Sequence, residues 1–322
     1  MYILLTGAGF SRNWGCWLAD EVFECLLADK QLTVPMRTQL WRDKNSGGNY
    51  EHTIQAFRDE AKRHKDPFHQ KQYRDFLGIL LGMFNAMKGS YSQQGFQFEN
   101  TDDNRFQITH FLYAFEAIFT LNQDTLLEQR YHSEFFFGRS GTRWKDWDMP
   151  GIISTQPGTP HIFDAVTLKN VAESGFSLKP QSQPYFKLHG SHNWASKNGV
   201  VLITGGNKAS DIGDVPLLDW YFGKFREAIM TPTARVMIIG YSFRDIHINK
   251  LLIEAAKKGA KFFIIDIQGI DVIDQRASLD PSTKQLWDAL GPNVIGVSRR
   301  LLSSTFGEDH IEHVKVMSFF QS

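Results

Sequence analysis

The chain has 322 residues, 42% of them hydrophobic and 22% charged, and its 35 lysines and arginines balance 35 aspartates and glutamates. A neutral balance argues against sequence-independent nucleic-acid binding, which needs a net basic face, so no direct nucleic-acid contact is expected. Cys16 and Cys25 are too few for a disulfide framework or a four-cysteine zinc site, and no apolar run approaches the ~20 residues of a membrane helix; a cytoplasmic protein without membrane contact is expected.

Tyr2–Leu5 reads as a first strand running straight into a glycine turn, not as a signal peptide, since no basic segment precedes it. Helical patterns follow at Trp17–Asp29, Tyr50–His64, Lys71–Lys88 and Gln107–Glu116, which places an inserted α-helical subdomain at about 30–116. The apolar residues from Phe76 to Phe84 are too dense for a narrow stripe, and that helix is expected to be buried or to meet a partner. Ala117–Leu121 reads as the next strand. A loop-rich insertion at about 131–184 follows, with one helix near Phe163–Glu173 and an apolar run at Phe135–Phe137. Phe76–Phe84 and Phe135–Phe137 are the candidate contact surfaces of an oligomer.

Tyr185–Leu188, Val200–Thr204, Val236–Ile239, Lys261–Ile265 and Val294–Val297 complete the strand set. Most are continuous apolar runs, as expected for parallel strands buried on both faces. The fold class is α/β, a single domain over 1–322 with a parallel sheet flanked by helices. Open sheets of this kind bind ligands at the C-terminal ends of their strands, and four of these strands, with a fifth at Asp266, end in polar residues or glycine.

The first such end is Thr6-Gly7-Ala8-Gly9-Phe10-Ser11. Glycines there let the backbone approach a phosphate, and the following helix start offers free N–H groups. The dinucleotide pattern G-x-G-x-x-G would want glycine where Arg12 stands, so a tight turn without a ligand is an equal reading. The second is Thr120-Leu121-Asn122-Gln123-Asp124, where helix capping competes with a ligand role, above all for Asp124. The third is Leu188-His189-Gly190, whose histidine at a strand tip is a candidate for acid–base work; His192 nearby is the natural decoy. The fourth is Gly240-Tyr241-Ser242-Phe243-Arg244-Asp245-Ile246-His247. Gly240 and Ser242 suit a nucleotide, while the capping alternative makes Ser242 the N-cap with Asp245 at the third helical position. Asp266, after Phe262–Ile265, could hydrogen-bond a ribose. His64 with His69, and His110 with His132, lack convincing ligand spacing, so no metal site is expected.

Taken together, these strand tips resemble the Sir2 (sirtuin) family, and within it the Sir2-like domains of bacterial antiphage defence systems. Gly7 to Ser11 resembles the family's G-A-G-x-S turn, Thr120 to Asp124 its T-x-N-x-D tip, Leu188-His189-Gly190 its L-H-G motif, and Gly240 to His247 the G-Y-S-F-x-D-x-H segment of the bacterial branch. The resemblance implies a Rossmann-like sheet that binds NAD+ as substrate. Gly7, Ala8, Gly9, Phe10, Ser11, Asp124, Gly240, Ser242 and Asp266 would hold the dinucleotide. Asn122 would orient a water or the ribose hydroxyls, and His189 would act as general base.

Two departures qualify the resemblance. The paired C-x-x-C zinc module of deacetylase sirtuins is missing after His189, so no zinc is expected. The stretch between Asn122 and His189 is also longer than in typical sirtuins. Both favour NAD+ hydrolysis to nicotinamide and ADP-ribose over deacylation. The expected role is an antiphage effector that depletes NAD+, assembles as a homo-oligomer and answers to a partner such as a HerA-like ATPase. The alternatives are an NAD-dependent deacylase or ADP-ribosyltransferase, and a non-catalytic sensor of NAD+ or ADP-ribose.

Overall fold

The computed structural model describes residues 1–98, 104–132, 143–154, 169–277 and 281–321. Its strands are β1 (Tyr2–Thr6), β2 (Ala117–Thr120), β3 (Asp146–Asp148), β4 (Ile152–Ser154), β5 (Lys169–Val171), β6 (Ser182–Lys187), β7 (Gly190–Ser196), β8 (Gly199–Leu202), β9 (Arg235–Ile239), β10 (Lys261–Ile265) and β11 (Val294–Ser298). Among the described residues, seven of them form one sheet in the order β11-β10-β9-β1-β2-β6-β3, and every pairing in it is parallel.

The order follows from the strands' composition. Ile3, Leu4 and Leu5 of β1, Val236 to Ile239 of β9 and Phe262 to Ile265 of β10 are all buried. Such runs need cover on both faces, which helices between parallel strands provide. The chain leaves β1 toward β2 and later returns at β9 on the other side of β1. The strand order therefore reverses at β1, where an open α/β sheet leaves a crevice. In register, Thr6 stands beside Thr120 on one side and Ile239 on the other, so the turns after β1, β2 and β9 open at one level.

The β1–β2 connection carries α1 (Ala8–Arg12), α2 (Ala19–Ala28), α3 (Val34–Asn45), α4 (Tyr50–His64), α5 (Pro67–Gln93) and α6 (Ile108–Tyr113). Helix α4 has the bounds its sequence predicts, and its start is capped. Asn49 Oδ1 accepts the Glu51 N–H at 2.9 Å and His52 Nδ1 meets the Asn49 N–H at 3.2 Å, a reciprocal cap. Tyr50, Thr53, Ile54, Phe57 and Ala61 form its buried face. Helix α5 starts earlier than the pattern suggests, at Pro67 behind Asp66, whose carboxylate accepts the Phe68 and His69 N–H groups at 2.9 and 3.1 Å. Phe76, Ile79, Leu80, Met83, Phe84 and Met87 of α5 are buried within this chain's own core. These six side chains are thus spent in the chain's own core, while Leu77, Gly78, Leu81 and Gly82 of the Phe76–Phe84 stretch keep exposure; the second candidate, Phe135–Phe137, lies outside the described residues.

Helix α7 (Leu126–Arg130) follows β2; α8 (Lys208–Gly213) and α9 (Pro216–Ile229) precede β9; α10 (Ile246–Lys257) joins β9 to β10; α11 (Asp271–Ala277) and α12 (Pro281–Leu290) join β10 to β11; α13 (Leu302–Thr305) and α14 (His310–Met317) come last. Among the described residues no helix is long and apolar enough to cross a membrane.

Two strand expectations are corrected. The strand expected at Val200–Thr204 is not in the parallel sheet. As β8 it pairs antiparallel with β7 in a second sheet, β4-β5-β7-β8, because the chain reverses at Gly199, whose φ is +110°. The helix expected near Phe163–Glu173 gives way at its end to β5, which pairs antiparallel with β4 and parallel with β7; the earlier part of that helix lies outside the described residues.

Candidate active site

The turns after β1 and β9 interlock. Gly7 N–H donates to the Ile239 carbonyl and Gly9 N–H to the Gly240 carbonyl, both at 2.9 Å. A Cβ on Gly7 would stand 2.6 Å from the Gly240 oxygen, and one on Gly9 would stand 2.7 Å from the Gly240 Cα. Gly240 itself has φ +62°, a left-handed conformation that suits glycine. Glycine at these positions is thus required by turn-on-turn packing as well as by the approach of any phosphate.

Around this junction lies a cleft of about 980 Å³, of the size that ligand pockets reach. Gly7, Ala8, Gly9, Asn122, Asp124, His189, Gly240, Ser242 and Asp266 all line it. Phe10 and Ser11 stand behind it. Phe10 is 0% exposed and packs on Trp14 with ring centroids 5.1 Å apart. Ser11 is buried, and its Oγ accepts the Asn122 amide N–H at 2.9 Å.

The β2 tip is held from three directions. Thr120 Oγ1 accepts the Asn122 backbone N–H at 3.0 Å and the Thr6 hydroxyl at 2.8 Å. Asp124 Oδ1 accepts the Leu126 N–H, the first of α7, at 3.0 Å, while Asp124 lines the cleft. Burial pushes the Asp124 carboxyl above the usual carboxylate range, against the pull of Lys187. Lys187 is buried, donates to the Asp124 carbonyl and pairs with Glu128 at 2.7 Å. Glu128 also accepts the Tyr185 hydroxyl at 3.2 Å.

His189 sits in the turn between β6 and β7 and is 2% exposed. Burial holds its pKa well below the ordinary histidine value, with the Lys208 charge adding to the effect and Asp245 opposing it. It is therefore neutral at pH 7 and has a lone pair to offer. Its Nε2 lies 3.1 Å from Nε2 of His247. His192 points elsewhere, Nδ1 lying 2.8 Å from the Gln123 carbonyl oxygen.

Asp245 and His247 belong to a network that the sequence does not announce. Lys208 of α8 is buried between Asp245 Oδ1 at 2.8 Å and Glu51 of α4 at 2.9 Å. Burial would drive its charge off, but the two carboxylates overcome that and raise its pKa. Burial would likewise raise the Asp245 pKa, yet His189 and Lys208 hold it down at about 2. The capping arrangement expected at Ser242 and Asp245 is not found. Asp245 is itself the residue before α10 and makes no side-chain cap bond, its carboxylate being committed to Lys208, and Ser242 is exposed. The turn is instead held by Tyr241, whose hydroxyl donates to Asn249 Oδ1 at 2.9 Å, and by Asn249, whose amide donates to the Phe243 carbonyl at 2.8 Å. That bond steadies Phe243, which has φ +53°. The signal for Asp245 and His247 was the Gly240-to-His247 run; Lys208 and Glu51 carry no local signature.

The donor atoms of His189, Asp245 and His247 lie within 4.8 Å of one another. The Lys208 ammonium, 2.8 Å from Asp245 Oδ1, lies against this group and offsets the carboxylate's charge. His64, Asp66 and His69 make a second such group, where His69 Nδ1 is bonded to Asp66 at 2.6 Å and the two imidazoles are stacked at 4.4 Å.

A crevice at the strand-order reversal, lined by a glycine turn and by an asparagine and a neutral histidine at neighbouring strand tips, suits a dinucleotide. No curated protein matches this chain in sequence. Residues 116–287, just over half the chain, match the family model described as SIR2-like domain. The matched span includes Asn122, His189, Asp245, His247 and Asp266 and excludes the Gly7–Gly9 turn. The chain thus belongs to the Sir2-like family, whose domains bind and use NAD+.

Proposed function

We propose that this protein hydrolyses NAD+ to nicotinamide and ADP-ribose. The observation that carries the reading is that Asn122 and His189, from separate strand tips, line one cleft with the Gly7–Gly9 turn. The pyrophosphate lies against that turn and the start of α1. The adenosine ribose lies toward Asp266. The nicotinamide ribose lies between Asn122 and His189. One Asn122 amide N–H is given to Ser11, and the amide oxygen is free of that bond to accept a hydrogen from a water or a ribose hydroxyl. As the glycosidic bond breaks, its electron pair leaves with nicotinamide, the water oxygen bonds to the ribose carbon, and the water's proton passes to a neutral imidazole.

Such an activity would exhaust the NAD+ of the cell that makes it, which fits an antiphage effector kept silent until infection. Assembly into a homo-oligomer and control by a partner such as a HerA-like ATPase belong to the same proposal. The test is NAD+ turnover by the purified protein, alone and with the proteins encoded beside it, following both products. Release of both products by the parent, reduced at least about 100-fold in Asn122→Ala and His189→Ala, is the expected result. Tight NAD+ binding without turnover in every setting would instead make the protein a sensor.

A further inference from the structure

We propose that His247 is a second acid–base residue of this cleft and that it shares its proton with His189, so that the two imidazoles act as one unit; this rests on the NAD+-cleaving reading above. The geometry begins with the 3.1 Å contact between the two Nε2 atoms. At that distance one proton lies between the rings, donated by one and accepted by the other. The contact engages one nitrogen of each ring and leaves the two Nδ1 atoms to take up or release a proton.

Exposure points the same way. His189 is 2% exposed and has little access to water of its own, whereas His247 is partly exposed and also lines the cleft. The proton of the attacking water enters at Nδ1 of His247. The bridging proton shifts toward His189, and the unit, now a cation, returns the extra proton to solvent as products leave. Adjacent to this cation is the Asp245 carboxylate, two residues before His247 and fixed by Lys208.

The charged and titratable groups around His247 come from four places: His189 from the β6–β7 turn, Asp245 from the start of its own helix, Lys208 from α8, and Glu51 with Tyr50 from α4. From α9 comes the uncharged Phe222 ring, 5.7 Å away. The Asp245–Lys208–Glu51 chain sets the local charge at the resting state, and the Tyr241 and Asn249 hydrogen bonds hold the turn that presents both Asp245 and His247.

The decisive variant is His247→Gln, which keeps an amide toward His189 and cannot titrate. Expected results are a fall in kcat of at least about 100-fold, a KM within about threefold of the parent, and a changed acid limb in the pH profile of the residual activity. A kcat within threefold of the parent with a superimposable pH profile would overturn the proposal, as would a loss confined to KM. A ring-nitrogen NMR titration needs no turnover and separates the two claims. Coupled titration of His189 and His247 in the parent, with an altered His189 curve in His247→Gln, supports the unit even if NAD+ proves not to be cleaved. Independent curves, with that of His189 unchanged in the variant, overturn it.

Discussion

Gly9 donates its backbone N–H to the Gly240 carbonyl at 2.9 Å, and a Cβ on Gly240 would stand 2.3 Å from both the Gly9 carbonyl carbon and the Phe10 nitrogen. The two turns that frame the cleft are therefore one packed unit. Gly240→Ala adds a Cβ at φ +62°, costing about 1–2 kcal/mol for the left-handed conformation, and forces the turns apart at a further cost of about 1–3 kcal/mol. Thermal unfolding of the variant should show the loss, and NAD+ affinity should fall with it. An unchanged melting temperature would mean the turns separate freely and do not support each other.

The buried Lys187–Glu128 pair makes a second stability prediction. Both side chains are almost wholly enclosed at 0% and 2% exposure. Lys187→Met leaves Glu128 charged and without its cation, which costs about 3–5 kcal/mol. Lys187→Met with Glu128→Gln removes both charges and should recover part of that loss. A denaturant titration of the single and double variants checks the non-additivity. Because Lys187 also donates to the Asp124 carbonyl, the single variant should loosen the β2 tip and weaken NAD+ binding.

The parts of this fold that were legible in the sequence are those whose signals are local. Strands β1, β2, β9 and β10 are unbroken apolar runs, and α4 carries a cap at its start. Strand β7 was not legible because Ser191, His192 and Asn193 look like surface residues. They are buried, and Gln123 makes that tolerable for two of them, since its carbonyl accepts from Ser191 Oγ at 3.2 Å and meets His192 Nδ1 at 2.8 Å. The same division runs through the site. Asn122, His189 and Asp266 stood out as polar ends of apolar strands. Lys208 and Glu51 did not, since nothing near either residue in sequence foretells that two helices bring them together at 2.9 Å. Ser11 was read as a ligand contact, whereas its hydroxyl is turned to the Asn122 amide.

Asp266 should set the choice between dinucleotides. It follows β10, lines the cleft, and accepts the Gln268 N–H at 2.9 Å. A carboxylate at this strand tip suits a ribose 2′-hydroxyl and repels a 2′-phosphate. The parent should prefer NAD+ over NADP+ by at least about tenfold, and Asp266→Asn should narrow that ratio chiefly by improving NADP+. Equal binding of both dinucleotides by the parent would place the adenosine ribose elsewhere in the cleft.

Buried neutral histidines make the fold sensitive to mild acid. Burial pushes His192 down to about 4, against its bond to the Gln123 carbonyl, and pushes His247 down to about 4, against the Asp245 charge. In the unfolded chain both return to about 6.5. Between these values the unfolded state binds more protons than the folded one, so stability falls as pH falls from about 6.5 to 4 and is level above that window. Asp245, held at about 2 in the fold, adds a further loss as pH drops from its unfolded value of about 4 toward 2. Melting temperature followed from pH 7.5 to 4.5 should decline, steepening below 6.5. His192→Gln should melt lower at pH 7.5, since it loses the stack on Phe84 at 5.2 Å, but should decline less steeply. Parallel curves for parent and variant would mean that His192 takes up its proton while still folded, with Gln123 holding the charged ring as well as the neutral one.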